Sequence, residues 1–584
     1  MKDFMKVMWA TVVGLFVFTI ITSVLSVFAL IGIAAVGSSK TEVKPNSVYH
    51  LVLNGAITDR VSENPLAMLS EDMNMNTGLG LDDILASIEK AEKNENIKGI
   101  YLDIKSIETS YATIQEIRNA LTDFKQSGKF VVAYADNYTT GLYYLASVAD
   151  KIYMNAHGTI DWRGMTGQTV FFKDLLDKLG VRMQIFKVGT YKSAVEPFTS
   201  MEMSAANREQ VMCYINSIWD NILNAVTAER NIEREKLLTY ADNGLLVVDT
   251  DECLKSGMID SVLYKNDMDK VLASMMQLEE DEKPVKLSHS KMLEVSDADT
   301  EIQSLLSDEI AVYYAEGDIV DEGKKGIVSG TVAKDLRKLR EDDKVKAVVL
   351  RVNSGGGSAF GSEQMWYEIE QLKAVKPVVV SMGDYAASGG YYISCAANYI
   401  IAQPATLTGS IGIFGMIPEV EKLAKRLGVA METVSTNKLG GMDNIAKPMN
   451  NDAKALIQRN INDGYELFVK RCADGRGMST DEIKAIAEGR VWTGEDAVEI
   501  GLVDALGGID DAVAKAKELA NAADAVVTSY PEKKSVFEEY LSTFTEMASQ
   551  PSTPIEQLKQ SIGIQYIDDE PSVQARLPYY IEIN

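Results

Sequence analysis

Apolar and polar positions follow three regimes along the chain. From Val7 to Ser39 there is no charged residue, a run longer than the about 20 apolar residues that cross a bilayer as a helix. Beyond it, short β-branched runs alternate with stretches whose apolar residues recur at helical spacing, which predicts strands alternating with helices. In the stretch from 347 to 402 the pattern gives strands at Ala347–Val352, Val378–Met382 and Tyr399–Ala402, with helices at Ser362–Leu372 and Ser388–Ala397 between them. Strands apolar nearly throughout and joined by helices predict parallel sheets covered on both faces. The third regime is polar: Glu279–Ser307, and the acidic, proline-containing tail after Ala525.

The alternation occurs twice. Ile97-Lys-Gly-Ile-Tyr-Leu-Asp-Ile-Lys-Ser106 matches Val345-Lys-Ala-Val-Val-Leu-Arg-Val-Asn-Ser354 at an offset of 248. The same offset pairs Phe130-Val-Val132 with Val378-Val-Val380, Tyr143-Tyr144 with Tyr391-Tyr392, Gly164 with Gly412, and Leu179-Gly-Val181 with Leu427-Gly-Val429. An ungapped offset of this extent reads as an internal duplication. The expected organisation is a short N-terminus (1–6), an anchor (7–39), a first α/β repeat (46–275), a linker (276–307), a second α/β repeat (308–525) and a tail (526–584).

Lys2 and Lys6 before the apolar run, with Trp9 at its edge, favour a cytoplasmic N-terminus, a bias weakened by Lys40 and Lys44 on the far side. The small residues Ala34-Ala-Val-Gly37 would suit a cleaved signal peptide. The run exceeds the roughly 7–15 residues of a signal h-region, so a retained anchor is expected, with the rest of the chain one body outside the cytoplasm.

Composition narrows the function. With 584 residues the chain needs more than one core. A net charge of −26 argues against nucleic-acid partners, which demand basic stripes. Cys213, Cys253, Cys395 and Cys472 form no CxxC pair, which argues against structural zinc. They read as single buried thiols. No cofactor or metal is expected.

Two glycine-rich segments of the second repeat carry candidate chemistry. Arg351-Val-Asn-Ser-Gly-Gly-Gly-Ser358 follows a strand, where glycines can present unhindered N–H groups to an oxyanion. Gly383-Asp-Tyr-Ala-Ala-Ser-Gly-Gly-Tyr-Tyr392 puts Ser388 at a strand–helix junction, either as a nucleophile or as a helix cap. At the fixed offset Ser388 faces Thr140, and Gly355-Gly-Gly357 faces Ile107-Glu-Thr109, so the first copy lacks both features. A base must accompany the serine. His50, His157 and His289 all lie outside the second repeat, and a Ser–His–Asp triad would have to borrow His157. Lysine is the alternative where burial lowers its pKa. Lys192, in Lys187-Val-Gly-Thr-Tyr-Lys-Ser-Ala-Val-Glu-Pro-Phe198, faces Gly440, with Lys438 two places earlier. One copy therefore carries the serine without the lysine, and the other the lysine without the serine.

Gly189-Thr-Tyr-Lys-Ser-Ala-Val-Glu-Pro-Phe198, Asp384-Tyr-Ala-Ala-Ser-Gly-Gly-Tyr-Tyr392, Thr408-Gly-Ser-Ile-Gly412 and Gly489-Arg-Val-Trp-Thr-Gly494 together resemble the bacterial signal peptide peptidase A family in its long, duplicated, membrane-anchored form. The resemblance runs from the anchor to about residue 525. It implies two tandem crotonase/ClpP-like domains and a Ser–Lys dyad, with Ser388 as nucleophile and Lys192 as general base. It further implies that Ser410 orients the lysine and that the N–H groups of Gly389 and Gly356 line the oxyanion hole. Cleaved signal peptides and other apolar peptides would be the substrates and a homotetramer the assembly. The location would be the bacterial cytoplasmic membrane, spanned once, with the catalytic body on its outer, periplasmic side. The family often has Asn-Ser-Pro-Gly-Gly where this chain has Asn353-Ser-Gly-Gly-Gly357, a looser turn. The rival readings are an acyl-CoA enzyme on the same fold and a non-catalytic, membrane-bound peptide scaffold.

Overall fold

The structure, a computed structural model, describes residues 41–61, 78–244, 250–279, 282–295, 307–323, 325–533 and the strand Val573–Arg576, with six isolated positions before residue 19. The expected anchor over 7–39 therefore lies outside the described residues except for those positions. Among the described residues no helix is long and apolar enough to cross a membrane.

Two sheets share one order of six parallel strands. The first runs Val285–Ser288, Ser47–Thr58, Ile97–Glu108, Phe130–Ala135, Lys151–Met154, Ser261–Val262. The second runs Val526–Tyr530, Glu309–Glu316, Val345–Ser354, Val378–Ala387, Tyr399–Ala402, Ala505–Leu506. Local details repeat as well. Ser110 and Ser358 cap the equivalent helices Tyr111–Gln126 and Ala359–Lys373 through their side chains. The Tyr143 hydroxyl donates to the Met258 carbonyl at 2.6 Å, as Tyr391 does to Leu502 at 2.9 Å. Each sheet has its own large apolar core.

Each unit reaches one edge strand beyond the boundary read from the sequence. Val285–Ser288 falls in the stretch expected as linker, and Val526–Tyr530 in the stretch expected as tail. Both are outermost strands, with little side-chain burial to imprint an apolar pattern.

The units are joined by a buried ion cluster. Arg351, on a central strand of the second unit, donates to Asp59 at 2.8 and 3.0 Å and to Glu116 at 2.8 and 3.2 Å, both in the first unit. Burial works against the charge of Arg351, but the two carboxylates more than offset it and raise its pKa well above the ordinary arginine value. Burial likewise raises the Glu116 carboxyl, although Arg351 pulls it down.

A third, mixed sheet spans both halves in the order Ile327–Val328, Ile319–Val320, Gly356–Ser358, Val573–Arg576, Phe414–Glu419, Arg182–Lys187. Its last pair is antiparallel, with Lys187 opposite Phe414 and Arg182 opposite Glu419. That pairing carries the segment after Lys187 out of the first half and into the second.

Candidate active site

Strand Val378–Ala387 continues five residues beyond its expected end, because Tyr385, Ala386 and Ala387 pair with Leu407, Thr408 and Gly409. Ser388 follows with φ +55°, a conformation that costs a non-glycine residue of order 1–3 kcal/mol and is held only by its surroundings. Its N–H donates to the Gly409 carbonyl at 2.8 Å. The helix Gly389–Ser394 then begins at once, and the Ser388 side chain makes no capping bond to it. The hydroxyl is thus available for something other than capping. At Gly390 a side chain is impossible, since a Cβ would lie 2.5 Å from the Ser354 carbonyl oxygen. The helix start is thereby pressed against the glycine loop.

Lys192 arrives from the other side. The pairing of Lys187 with Phe414 brings it in, and Tyr191 N–H donates to the Glu488 carbonyl at 2.9 Å. A Cβ on Gly489 would sit 2.7 Å from Lys192 Cβ, and one on Gly412 would sit 3.3 Å from its Cδ, so two glycines form the channel for the side chain. The lysine is fully buried. Its Nζ lies 2.7 Å from Ser388 Oγ, 3.1 Å from Ser410 Oγ and 3.1 Å from the Ser410 carbonyl oxygen, all within one chain. Burial holds the amine well below the ordinary lysine pKa.

A neutral amine has two N–H groups and one lone pair. Ser410 Oγ donates its own proton to the Gly489 carbonyl at 3.3 Å and so accepts from Nζ. The Ser410 carbonyl can only accept. Both amine protons are therefore committed to Ser410, and the lone pair is left facing the Ser388 hydroxyl. Ser410 is itself held at φ +50°, its N–H donating to the Arg490 carbonyl at 2.7 Å.

The two glycine candidates lie beside the serine, and the alternative bases lie away from it. Gly389 opens the helix, where the first N–H groups have no partner within the helix. Gly356 is buried at φ +102°, and its N–H donates to Ser354 Oγ at 3.1 Å. His157 is exposed on a loop of the first unit. Lys438 is on the surface, ion-paired with Asp452. At the site equivalent to Ser388, the Thr140 hydroxyl donates to the Asp161 carbonyl at 2.8 Å.

Sequence reasoning missed the supports. Gln210, buried on helix Ala205–Arg230, donates to the Tyr191 carbonyl at 3.1 Å and to Ser193 Oγ at 3.0 Å, bracketing Lys192, while its Oε1 accepts from Val491 N–H at 3.2 Å. Asp384 accepts from Ser110 Oγ and from Thr113 N–H and Oγ1, at 3.2 and 2.6 Å for the latter two. The first unit thus grips the serine motif as well as supplying the lysine. No local signal marks a lone buried glutamine on a helix. Gln210→Leu, which frees the residues on both sides of Lys192, is expected to lower kcat by about 10²-fold, because misplacement near 1 Å is enough for that. Steady-state kinetics would check this, with KM expected to stay within about twofold.

A serine hydroxyl facing the lone pair of a buried amine, beside a helix start and a glycine loop, is an arrangement able to perform serine-hydrolase chemistry. A model described as Peptidase family S49 matches residues 123–280 and 370–523, one stretch in each unit. Protease 4 of Haemophilus influenzae is 37% identical over 518 residues, covering 85% of this chain and 83% of its own. Protease 4 of Salmonella typhi is 40% identical over 504 residues, with 84% and 78% covered. A chloroplastic serine protease of Arabidopsis thaliana, SPPA, is 31% identical over 531 residues, with 89% and 74% covered. The chain belongs to peptidase family S49, in tandem-duplicated form. It is a serine peptidase, and its substrates are peptides.

Proposed function

We propose that Ser388 is the nucleophile and Lys192 the general base of this peptidase. The observation that carries the reading is the 2.7 Å contact between the two residues, each contributed by a different copy of the duplication. Neutral Lys192 takes the Ser388 proton as Oγ attacks the peptide carbonyl. The resulting oxyanion is received by the N–H groups of Gly389 and Gly356, the latter exchanging Ser354 Oγ for the new partner. The lysine then gives its proton to the leaving amine, the C–N bond breaks, and water hydrolyses the acyl-enzyme by the same proton route in reverse. Ser410 keeps the lone pair aimed at the serine throughout.

The substrates in this reading are cleaved signal peptides and other apolar peptides, bound extended. The apolar run Val7–Ser39 would anchor the body, a homotetramer of two-domain crotonase/ClpP-like subunits, on the outer face of the bacterial cytoplasmic membrane. An anchored site suits substrates that linger at the bilayer.

The pH profile tests the dyad. Only the deprotonated amine is a base, and burial lowers its pKa. Activity is therefore expected to rise with pH through that lowered pKa and to level off below the ordinary lysine range. A flat or falling rate between neutral and mildly alkaline pH would sink the assignment. So would failure of a serine-directed acylating probe to label Ser388.

A further inference from the structure

Glu488-Gly489-Arg490 lies against both Lys192 and Ser410, and each of its carbonyls receives a donor from their surroundings. Glu488 accepts from Tyr191 N–H at 2.9 Å, Gly489 from Ser410 Oγ at 3.3 Å, and Arg490 from Ser410 N–H at 2.7 Å. The segment therefore holds the residue before Lys192 and both polar groups through which Ser410 is fixed. It is also bent against its preferences, with Glu488 at φ +55° and Gly489 at φ +80°. Among the described residues seven non-glycine residues have such a positive φ. Three of them, Ser388, Ser410 and Glu488, lie at or beside this site. A conformation of this kind persists only where the surroundings over-determine it.

Two features hold the bend. At Gly189 a Cβ would lie 2.3 Å from the Glu488 carbonyl oxygen, so the lysine segment packs directly on that carbonyl. The second is the Arg490 side chain. Its guanidinium lies over the Tyr191 ring at 4.9 Å and over the Trp492 ring at 4.4 Å, and it pairs with Glu209 at 3.2 Å. Ring contact adds to the charge pairing, which makes this a firmer pin than an exposed ion pair. Tyr191 precedes Lys192, and Trp492 stands opposite Thr408, on the strand that leads to Ser410. The pin thus ties the lysine segment to the strand pair behind Ser410.

One carbonyl in this arrangement sets the direction of a proton. The Ser410 hydroxyl points at the Gly489 carbonyl, which leaves its oxygen free to accept from Lys192 Nζ. Were that carbonyl turned away, the hydroxyl would rotate and donate to the amine lone pair. The lone pair would then be occupied by Ser410 and lost to Ser388. We propose that Arg490 is a positioning residue of the peptidase: by pinning Tyr191 and Trp492 it fixes the Gly489 carbonyl, and with it the direction of the Ser410 hydroxyl and the Lys192 lone pair. The inference rests on the active-site reading above.

The test uses the full chain and a short fluorogenic peptide. Arg490→Met is expected to lower kcat by about 10- to 100-fold, with KM within about twofold. Arg490→Lys keeps a cation over the rings and should recover most of that loss. A double-variant cycle separates positioning from support of the fold. In a Ser410→Ala background no hydroxyl is left to misdirect, so Arg490→Met should cost less than about threefold there. A residue that only supports the fold would cost the same factor in both backgrounds. If Arg490→Met does not fold, Tyr191→Leu removes one ring of the pin and should show the same kcat loss with the same cancellation. Wild-type kcat in the folded variant, equal losses in the two backgrounds, or no recovery with Arg490→Lys would each overturn the proposal. Hydrolysis surviving Ser388→Ala would remove the active-site reading itself. An inactive Ser388→Ala beside an unimpaired Arg490→Met would remove this inference alone.

Discussion

Ser388→Ala and Lys192→Ala are each expected to lower peptide hydrolysis by about 10⁴-fold or more, and the double variant should be no worse than the poorer single one, because residues that act as a unit are not additive. The geometry gives the reason. Without Lys192 the serine proton has no acceptor in a fully buried site, and without Ser388 the amine has nothing to activate. The loss must be separated from misfolding, and the lysine offers a way to do so. In the folded chain its pKa is lowered by burial from 10.5. Between that lowered value and 10.5 the unfolded chain binds more protons than the folded one, so the contribution of Lys192 to stability rises with pH across this window and is unfavourable at neutral pH. Lys192→Met keeps most of the volume and removes the cost. The expected result is an inactive protein with a raised Tm at pH 7, measured by thermal unfolding. An inactive variant with a lowered Tm would point to structural damage instead.

Arg351→Met is expected to destabilise the protein by about 3–5 kcal/mol, the usual cost of removing one partner from a buried ion cluster. The change leaves Asp59 and Glu116 facing an apolar side chain at the junction of the units. Glu116, already raised by burial, would rise further. In the variant the folded state would then hold a proton that the unfolded state has released above the ordinary carboxylate range. Its stability deficit should accordingly widen as pH rises from 5 to 8, as denaturant unfolding at several pH values would measure. Combining Arg351→Met with Asp59→Asn and Glu116→Gln should restore part of the loss. Activity should fall with stability, since Ser381, on the strand leading to Ser388, also receives a bond from Arg351 at 2.9 Å.

These two predictions draw unequally on the sequence. The proposed dyad was legible there because duplication made its members conspicuous: Ser388 is matched by Thr140 and Lys192 by Gly440. Arg351 was not, although it lies inside a quoted repeat. It replaces Asp103 of the first copy, which instead serves a local cluster with His50 and Lys265. Equivalent positions were thus reused for unrelated ion pairs, and no pattern within one copy announces a partner in the other. The edge strands at 285–288 and 526–530 were hidden for a different reason. They bury little and resemble each other little, so neither periodicity nor repetition marked them.

The sequence by itself determined the α/β alternation, the duplication, the division of serine and lysine between copies, and the resemblance to a peptidase family. The first three are written in short-range periodicity or in the comparison of the chain with itself, and the resemblance in a few short motifs. Tertiary structure alone decided that Ser410 takes both amine protons, that Gly412 and Gly489 make room for the lysine, that Gln210 brackets it, and that Val573–Arg576 pairs between Gly356–Ser358 and Phe414–Glu419. Each of these is a contact between residues far apart in the chain. Such contacts arise from how packed elements meet, and the local pattern of apolar and polar residues does not encode that meeting.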